Sequence, residues 1–294
     1  MRITNSMIQS NATYALQKNL QSMVQLQNQV STGQKYQTFA DDPQAQSNIM
    51  QASGSLRALD QYQKNISDAT SRANTEDSVL SQLTDTIDRA LSVGTQQGTA
   101  TSSVSTRLAA KAEIDNLLDF TVSLGNTKYG TGYLFGGDNS TTAPLSNTAP
   151  FYATATPPSG AHTTEIAEGQ LFQSNHNAKQ IFLDTNTLQA LKDLSTALGN
   201  NDQTAIGAAV TSLTSAQNNV QNLVGDIGAR VNQLQVTSSN LDALKTNLQT
   251  FKSNLSEVDQ EQAITELVSR QTAYQSAMLA TSRVMGMTLT DYLR

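Results

Sequence analysis

The chain has no cysteine and no tryptophan, and only 14% of its 294 residues are charged. Without cysteine there are no disulfides, no thiolate metal ligands and no cysteine nucleophile. With aromatics at 5%, no stacking platform for bases or sugars is expected. Typical globular domains carry about 25% charged residues; here Ser, Thr, Asn and Gln take their place. The net charge is −6, which lacks the basic footprint of a nucleic-acid binder. No run approaches the ~18 consecutive apolar residues of a membrane span.

The start has no acid: residues 1–40 carry only Arg2, Lys18 and Lys35, so the rest of the chain holds a net −9. Gln and Asn follow Met1 to Ser6 where a secretory leader would place an apolar stretch, and one Arg is too few for a transit peptide. Neither leader is expected.

The dominant pattern is the heptad. Ala45, Ala52, Leu59, Ile66, Ala73, Leu80 and Ile87 recur every seven residues, with a companion row of Ile49, Leu56, Tyr62, Ala69, Leu83 and Leu91. Seven residues is nearly two helical turns, so both rows share one face. Asp42 is placed to cap this helix and Pro43 suits its first position. Its end is expected near Gly94 or Gly98. A second long helix carries Val220, Ile227, Leu234, Leu241, Leu248 and Leu255, with Leu223, Val231, Leu244, Phe251 and Val258 beside them. Shorter helices lie between: Arg107 to Leu124, with Leu108, Ala112, Leu118 and Val122 on its face, then Thr187 to Leu198 and Thr204 to Leu213 about a Gly199-Asn200-Asn201 turn.

Both ends repeat the habit. Ala12, Leu16, Leu20, Met23, Leu26 and Val30 form a stripe that stops at Ser31-Thr32-Gly33. Ile264, Leu267, Tyr274, Met278, Met285, Leu289 and Tyr292 form another, out of phase with the Leu234–Leu255 row. The slip falls across Glu257 to Glu261 and predicts a boundary between two bundles. Residues 138–185 differ: they hold Pro144, Pro150, Pro157, Pro158, His162 and His176, and their prolines forbid a long helix. The expected fold is mainly α: a nested antiparallel coiled-coil rod of long helices from both chain ends, with a small β-rich insertion at its tip. The expected divisions are 1–42 with 259–294 as terminal helices, 43–137 with 186–258 as a central bundle, and 138–185 as the outer insertion.

Reactive groups do not converge. His162 and His176 lack an HExxH spacing and read as surface or packing residues. Asp41-Asp42 reads as a helix-capping pair rather than a carboxylate dyad. Gly130 to Gly137 lacks the Lys-Ser/Thr of a phosphate loop and reads as a turn out of the bundle. No catalytic residue, metal site or cofactor is expected, and the chain is not read as an enzyme. The terminal stripes fit either intramolecular packing or assembly into a larger polymer, because a Gln-rich helix with few charges is marginal alone in water.

Several segments carry a family likeness: Met1-Arg2-Ile3-Thr4, Ser31-Thr32-Gly33 followed by Asp41-Asp42-Pro43, Asn126, Gly132-Tyr133-Leu134-Phe135-Gly136-Gly137, Gly228-Ala229-Arg230-Val231-Asn232, and Thr288-Leu289-Thr290-Asp291-Tyr292-Leu293. In this order they resemble the flagellar hook–filament junction proteins, relatives of flagellin. The family commonly has Ser where Thr288 stands. The resemblance implies a structural subunit, exported unfolded through the flagellar channel to the extracellular flagellum, that joins hook to filament. It implies partners: copies of itself, the first junction protein, flagellin, and an export chaperone on about Asp259 to Arg294. It also implies that the terminal stripes, from Leu16 to Val30 and from Ile264 to Tyr292, form the inner wall of a tube. A flagellin filament subunit and a monomeric coiled-coil scaffold are the alternatives.

Overall fold

The computed structural model describes residues 5–153 and 156–292, and the side chains of residue 7 and of residues 10–153 and 156–283. The opening Met1-Arg2-Ile3-Thr4 and the side chains of the Thr288 to Leu293 ending lie outside the described residues. Helices are α1 (Asn5–Thr32), α2 (Pro43–Gln97), α3 (Val104–Gly125), α4 (Thr187–Gly199), α5 (Gln203–Ser256) and α6 (Gln260–Tyr292). Two short antiparallel hairpins complete the order: β1 (Lys128–Tyr129) with β2 (Gly132–Tyr133), and β3 (Thr163–Ala167) with β4 (Gln170–Gln173). A π-helical turn covers Lys179–Leu183. Thr204 to Leu213 is not a separate helix; it is the first part of α5.

Three long helices start on an aspartate. Asp42 Oδ1 accepts the backbone N–H groups of Gln44 and Ala45 at 3.1 and 3.0 Å, ahead of Pro43 as the first helical residue. Asp202 does the same for Thr204 and Ala205, both at 3.0 Å. Asp259 accepts from the Gln262 N–H at 3.1 Å. Each carboxylate satisfies amides that a helix start leaves unpaired, and its charge opposes the positive end of the helix dipole.

The chain divides into two compact units, residues 1–57 with 244–294, and residues 58–243; α2 and α5 contribute to both. In the second unit α2 and α5 run antiparallel, with Gln63 bonded to Asp242 and Gln217 bonded to Asp88. The heptad row of α2 within this unit is buried from Leu59 through Ile87, and on α5 the buried row runs from Ile206 through Leu213, Val220, Ile227 and Leu234 to Leu241. Leu191 and Leu194 of α4 and Ile114 and Leu118 of α3 join that core. Fully burying each such side chain is worth about 1.5–3 kcal/mol. Arg89 pairs with Glu113 at 2.6 Å, tying α2 to α3. Ser195 donates to Asp115 at 2.5 Å, tying α4 to α3.

The face of α3 differs from the expected one. Leu108 and Ala112 are exposed, and the buried stripe is Arg107, Ala110, Ile114, Leu118 and Thr121, with Val122 beside it. Spacings of three and four keep that set in line. Leu108, one residue on from Arg107, is rotated away, and an arginine held the place where a sequence reader looks for an apolar residue. Leu244 of the expected companion row of α5, and Phe251 after it, are also exposed.

The insertion is small and hairpin-containing, and it lies against the flank of the helices rather than beyond their ends. Asn65 of α2 donates to the Glu165 carbonyl of β3 at 2.7 Å, and Arg230 of α5 donates to the Gln173 carbonyl of β4 at 2.9 Å. Phe135 and Phe182 meet edge to face beneath it, their centroids 5.8 Å apart. Gly137, at φ +61°, lets the chain pass Ser159 so closely that an added Cβ would sit 2.0 Å from the Ser159 carbonyl oxygen.

In the first unit α1 and α6 pack on one another. Gly33 ends α1 at φ +70°, a left-handed conformation that glycine adopts without steric cost. The phase slip at Glu257 to Glu261 is a real break between α5 and α6. The two connections zip together: the Lys35 N–H donates to the Ser256 carbonyl at 2.7 Å, and the Val258 N–H to the Gly33 carbonyl at 3.0 Å.

Candidate assembly interface

The terminal helices place the striped residues on two different faces. On α1, Leu16, Met23, Leu26 and Val30 are half-buried, while Leu20 is 41% exposed. On α6, Ala263 is buried and Leu267 and Tyr274 are half-buried, whereas Ile264 is 48% and Met278 50% exposed. Met285, Leu289 and Tyr292 lie within α6, but their side chains fall outside the described residues.

At about 100° per residue, Ala263, Leu267, Tyr274, Ala277 and Thr281 cluster on one side of α6. Ile264, Val268, Met278 and Leu279 cluster about 100° away from them. The first set is the sheltered one; every member of the second is exposed. Helix α1 adds the exposed Tyr14, Leu20 and Val24. Val24, Val268 and Leu279 were missed by the sequence reading, which assigned a single apolar stripe to each helix. A helix with two apolar faces shows both a sheltered seam and an unused one only when its intramolecular partner is known.

Where α1 ends and α6 begins, a groove is lined by Leu26, Gln29, Lys35, Glu257, Asp259 and Glu266, among others. Nearby, Asp41 Oδ2 accepts the backbone N–H groups of Gln37 and Thr38, each at 2.9 Å. The hydrogen bonds from Thr38 and Gln37 hold the Asp41 carboxyl below its ordinary range, which outweighs the small opposing effect of burial. The Asp41-Asp42 pair is thus two separate devices, one closing the turn and one capping α2.

The other candidate residues are structural in their surroundings. Gly130 to Gly137 forms the β1–β2 turn and the strand exit, where Leu134 and Phe135 enter the core. His162 Nδ1 lies 2.9 Å from Ser174 Oγ. His176 is only 4% exposed, in a segment that the prolines and turn residues marked as irregular. Its partner Glu76 occupies the place in the α2 companion row between Ala69 and Leu83 where an apolar residue would continue the pattern. A carboxylate at that place was the signal for a buried polar pair. Among the described residues, no three His, Cys, Asp or Glu side chains are placed to hold a metal ion, and no helix is long and apolar enough to cross a membrane.

The family model of the bacterial flagellin N-terminal helical region matches residues 3–140, and that of the C-terminal helical region matches residues 210–293. The flagellar hook-associated protein 3 of Salmonella typhimurium is 27% identical, with 98% of each chain aligned. That of Escherichia coli is 26% identical over 89% of this chain and 90% of its own. Among solved structures, a putative flagellar hook-associated protein of Vibrio parahaemolyticus has a TM-score of 0.67 at 20% identity, over 74% of this chain and 100% of that one. FlgL of Bacillus cereus has a TM-score of 0.60 at 22% identity, over 69% and 98%.

Proposed function

The chain belongs to the flagellin family, and on that premise we propose that it is a structural subunit joining the flagellar hook to the filament. The observation that carries the junction reading, against a filament subunit or a scaffold, is the match along nearly the whole chain to a relative named hook-associated protein 3. The role is structural rather than catalytic. Residues 1–42 and 259–294 supply the inner wall of a tube, 43–137 and 186–258 the bundle around it, and 138–185 the outer insertion. The breaks at Gly33–Asp42 and at Glu257–Asp259 support that division, because they separate the terminal helices from α2 and α5.

In this reading, Leu16, Met23, Leu26, Val30, Leu267 and Tyr274 form the seam between a subunit's own terminal helices. Leu20, Val24, Ile264, Val268, Met278 and Leu279 meet neighbouring copies, because they are among the apolar side chains that the terminal helices leave exposed. The first junction protein and flagellin abut the two ends of the ring of copies. Export through the flagellar channel, with a chaperone on about Asp259 to Arg294, brings the subunit to the extracellular flagellum.

The test is Ile264→Lys with Met278→Lys. Two charges on a face that assembly desolvates block addition of neighbours while leaving the fold intact, since both side chains are exposed in the subunit. Cells carrying the pair are expected to shed flagellin into the medium and lack filaments, and the variant's own secretion is measured alongside, because both residues lie in the chaperone segment and only a secreted variant tests the interface. Normal filaments on such cells would overturn the assignment of this face.

A further inference from the structure

The terminal helices carry opposite charges that do not meet within the subunit. From Asn5 to Thr32, α1 has a single charged residue, Lys18. The first turn of α6 carries Glu261. Both side chains are exposed, and neither has an ion-pair partner among the described residues. The other acids around the start of α6 are engaged. Glu257 accepts from the Ser253 hydroxyl at 2.7 Å, Asp259 caps the Gln262 N–H at 3.1 Å, and Glu266 pairs with Arg270 at 3.2 Å. Helices α1 and α6 run antiparallel from connections that zip together at Gly33 and Val258. At 1.5 Å per residue Lys18 lies level with Ala273, and Glu261 lies about 18 Å away from it along the axis.

Each charge shares its helix face with exposed apolar surface. At about 100° per residue, Tyr14 and Lys18 fall within about 40° of one another on α1. Glu261, Ile264 and Val268 fall within about 60° on α6. Tyr14 is 67% exposed, and Ile264 and Val268 are 48% and 56% exposed. The spacings match when the helices run antiparallel. Tyr14 stands one turn before Lys18, and Ile264 and Val268 stand about one and two turns after Glu261. A single register therefore sets Lys18 beside Glu261 and Tyr14 between Ile264 and Val268.

We propose that α6 of one copy seats on α1 of the next in this register, shifted by about 18 Å along the axis from the pairing inside the subunit. The inference rests on the assembly reading above and adds to it the pair of faces that meet and their alignment. Copies related by rotation about a tube axis point the same way, so α1 of one copy runs antiparallel to α6 of the next, as the match requires. Like faces do not fit: α6 on α6 in register sets Glu261 against Glu261, and α1 on α1 sets Lys18 against Lys18, and like charges oppose contact. An exposed ion pair adds little affinity. The apolar side chains supply the attraction, and the two charges select partner face and register, as flanking charges do in coiled coils. Because the contact joins two different faces, each added copy leaves one of them open for the next.

The experiment couples amines directly to carboxyls with a carbodiimide, which adds no spacer, in isolated flagella and in the purified full chain at low concentration. Peptides are then read by mass spectrometry. Lys18 joined to Glu261 should appear in flagella and be absent from the dilute chain, where the two groups are held apart. The coupling of Lys179 to Asp184, whose groups lie 2.7 Å apart in the subunit, should appear in both and serves as the standard. Flagella that show the standard without the Lys18–Glu261 product would overturn this contact and leave the junction reading standing. The product at equal yield in the dilute chain would overturn it as well, because the two groups would then meet within one copy. Flagella without any peptide of this chain would overturn the junction reading and this contact with it.

Discussion

Arg107, at the start of α3, donates through Nε to the backbone carbonyl of Gln97, the last residue of α2, at 3.1 Å. The same guanidinium reaches the Thr99 carbonyl at 2.9 Å and Asn201 Oδ1 at 2.5 Å. Its side chain is 5% exposed, and these three partners are neutral oxygens. The cation sits where the α2 dipole presents its negative end, which is where a buried charge without a carboxylate finds support. Arg107 therefore joins the end of α2 to the α4–α5 turn.

Arg107→Met is expected to cost about 2–3 kcal/mol, since it leaves carbonyls of the α2 C-terminus without their donor. Arg107→Lys should recover only part, because an ammonium cannot span the same fork of acceptors. Thermal unfolding of the full chain measures both. A midpoint unmoved by Arg107→Met would show that water replaces the guanidinium without loss.

The seam between the long helices makes a paired prediction. Leu241 is buried on α5 and Leu244, three residues on, is exposed. Leu241→Asp should cost about 3–5 kcal/mol by placing an unpaired charge in the core. Leu59→Asp on α2 should do likewise. Leu244→Asp should stay within about 0.5 kcal/mol, as surface changes do. Equal losses at Leu241 and Leu244 would mean that both faces of α5 are packed in the isolated subunit.

Asp41 makes a pH prediction. Its folded carboxyl is held below the ordinary value of 3.8 by the Thr38 and Gln37 amides. A depressed acid contributes stability above its unfolded value and loses it as pH falls through the lower folded one. The Gln37 and Thr38 amide resonances should hold their positions on acidification to pH 3.8, then move at lower pH. Asp41→Ala should move both already at neutral pH. Amide shifts in wild type that titrate as a free aspartate would contradict the closed turn.

Much of this architecture was legible residue by residue. The row from Ala45 to Ile87 announces α2 because a seven-residue apolar period has one compact solution, a helix with one buried face. Asp42-Pro43 announces where it starts, and the phase slip at Glu257 to Glu261 announces where α5 gives way to α6, since no straight helix keeps both registers facing one partner. These signals act within a few turns of chain, so they survive without knowledge of the fold. Other features needed distant segments to meet. Glu76 and His176 are 100 residues apart, and either alone reads as a surface group. Each is buried only because the hairpin segment lies on α2 and α5. Arg107 fills a core position because the open end of α2 lies within its reach. The apolar residues of α6 all belong to stripes in one dimension; packing against α1 sheltered Leu267 and Tyr274 and left Ile264, Val268, Met278 and Leu279 outside. Local periodicity determined which residues form helices, and the choice of which apolar face is sheltered and which is left exposed was made by the tertiary contacts, because burial is a property of the pair of surfaces and not of either sequence alone.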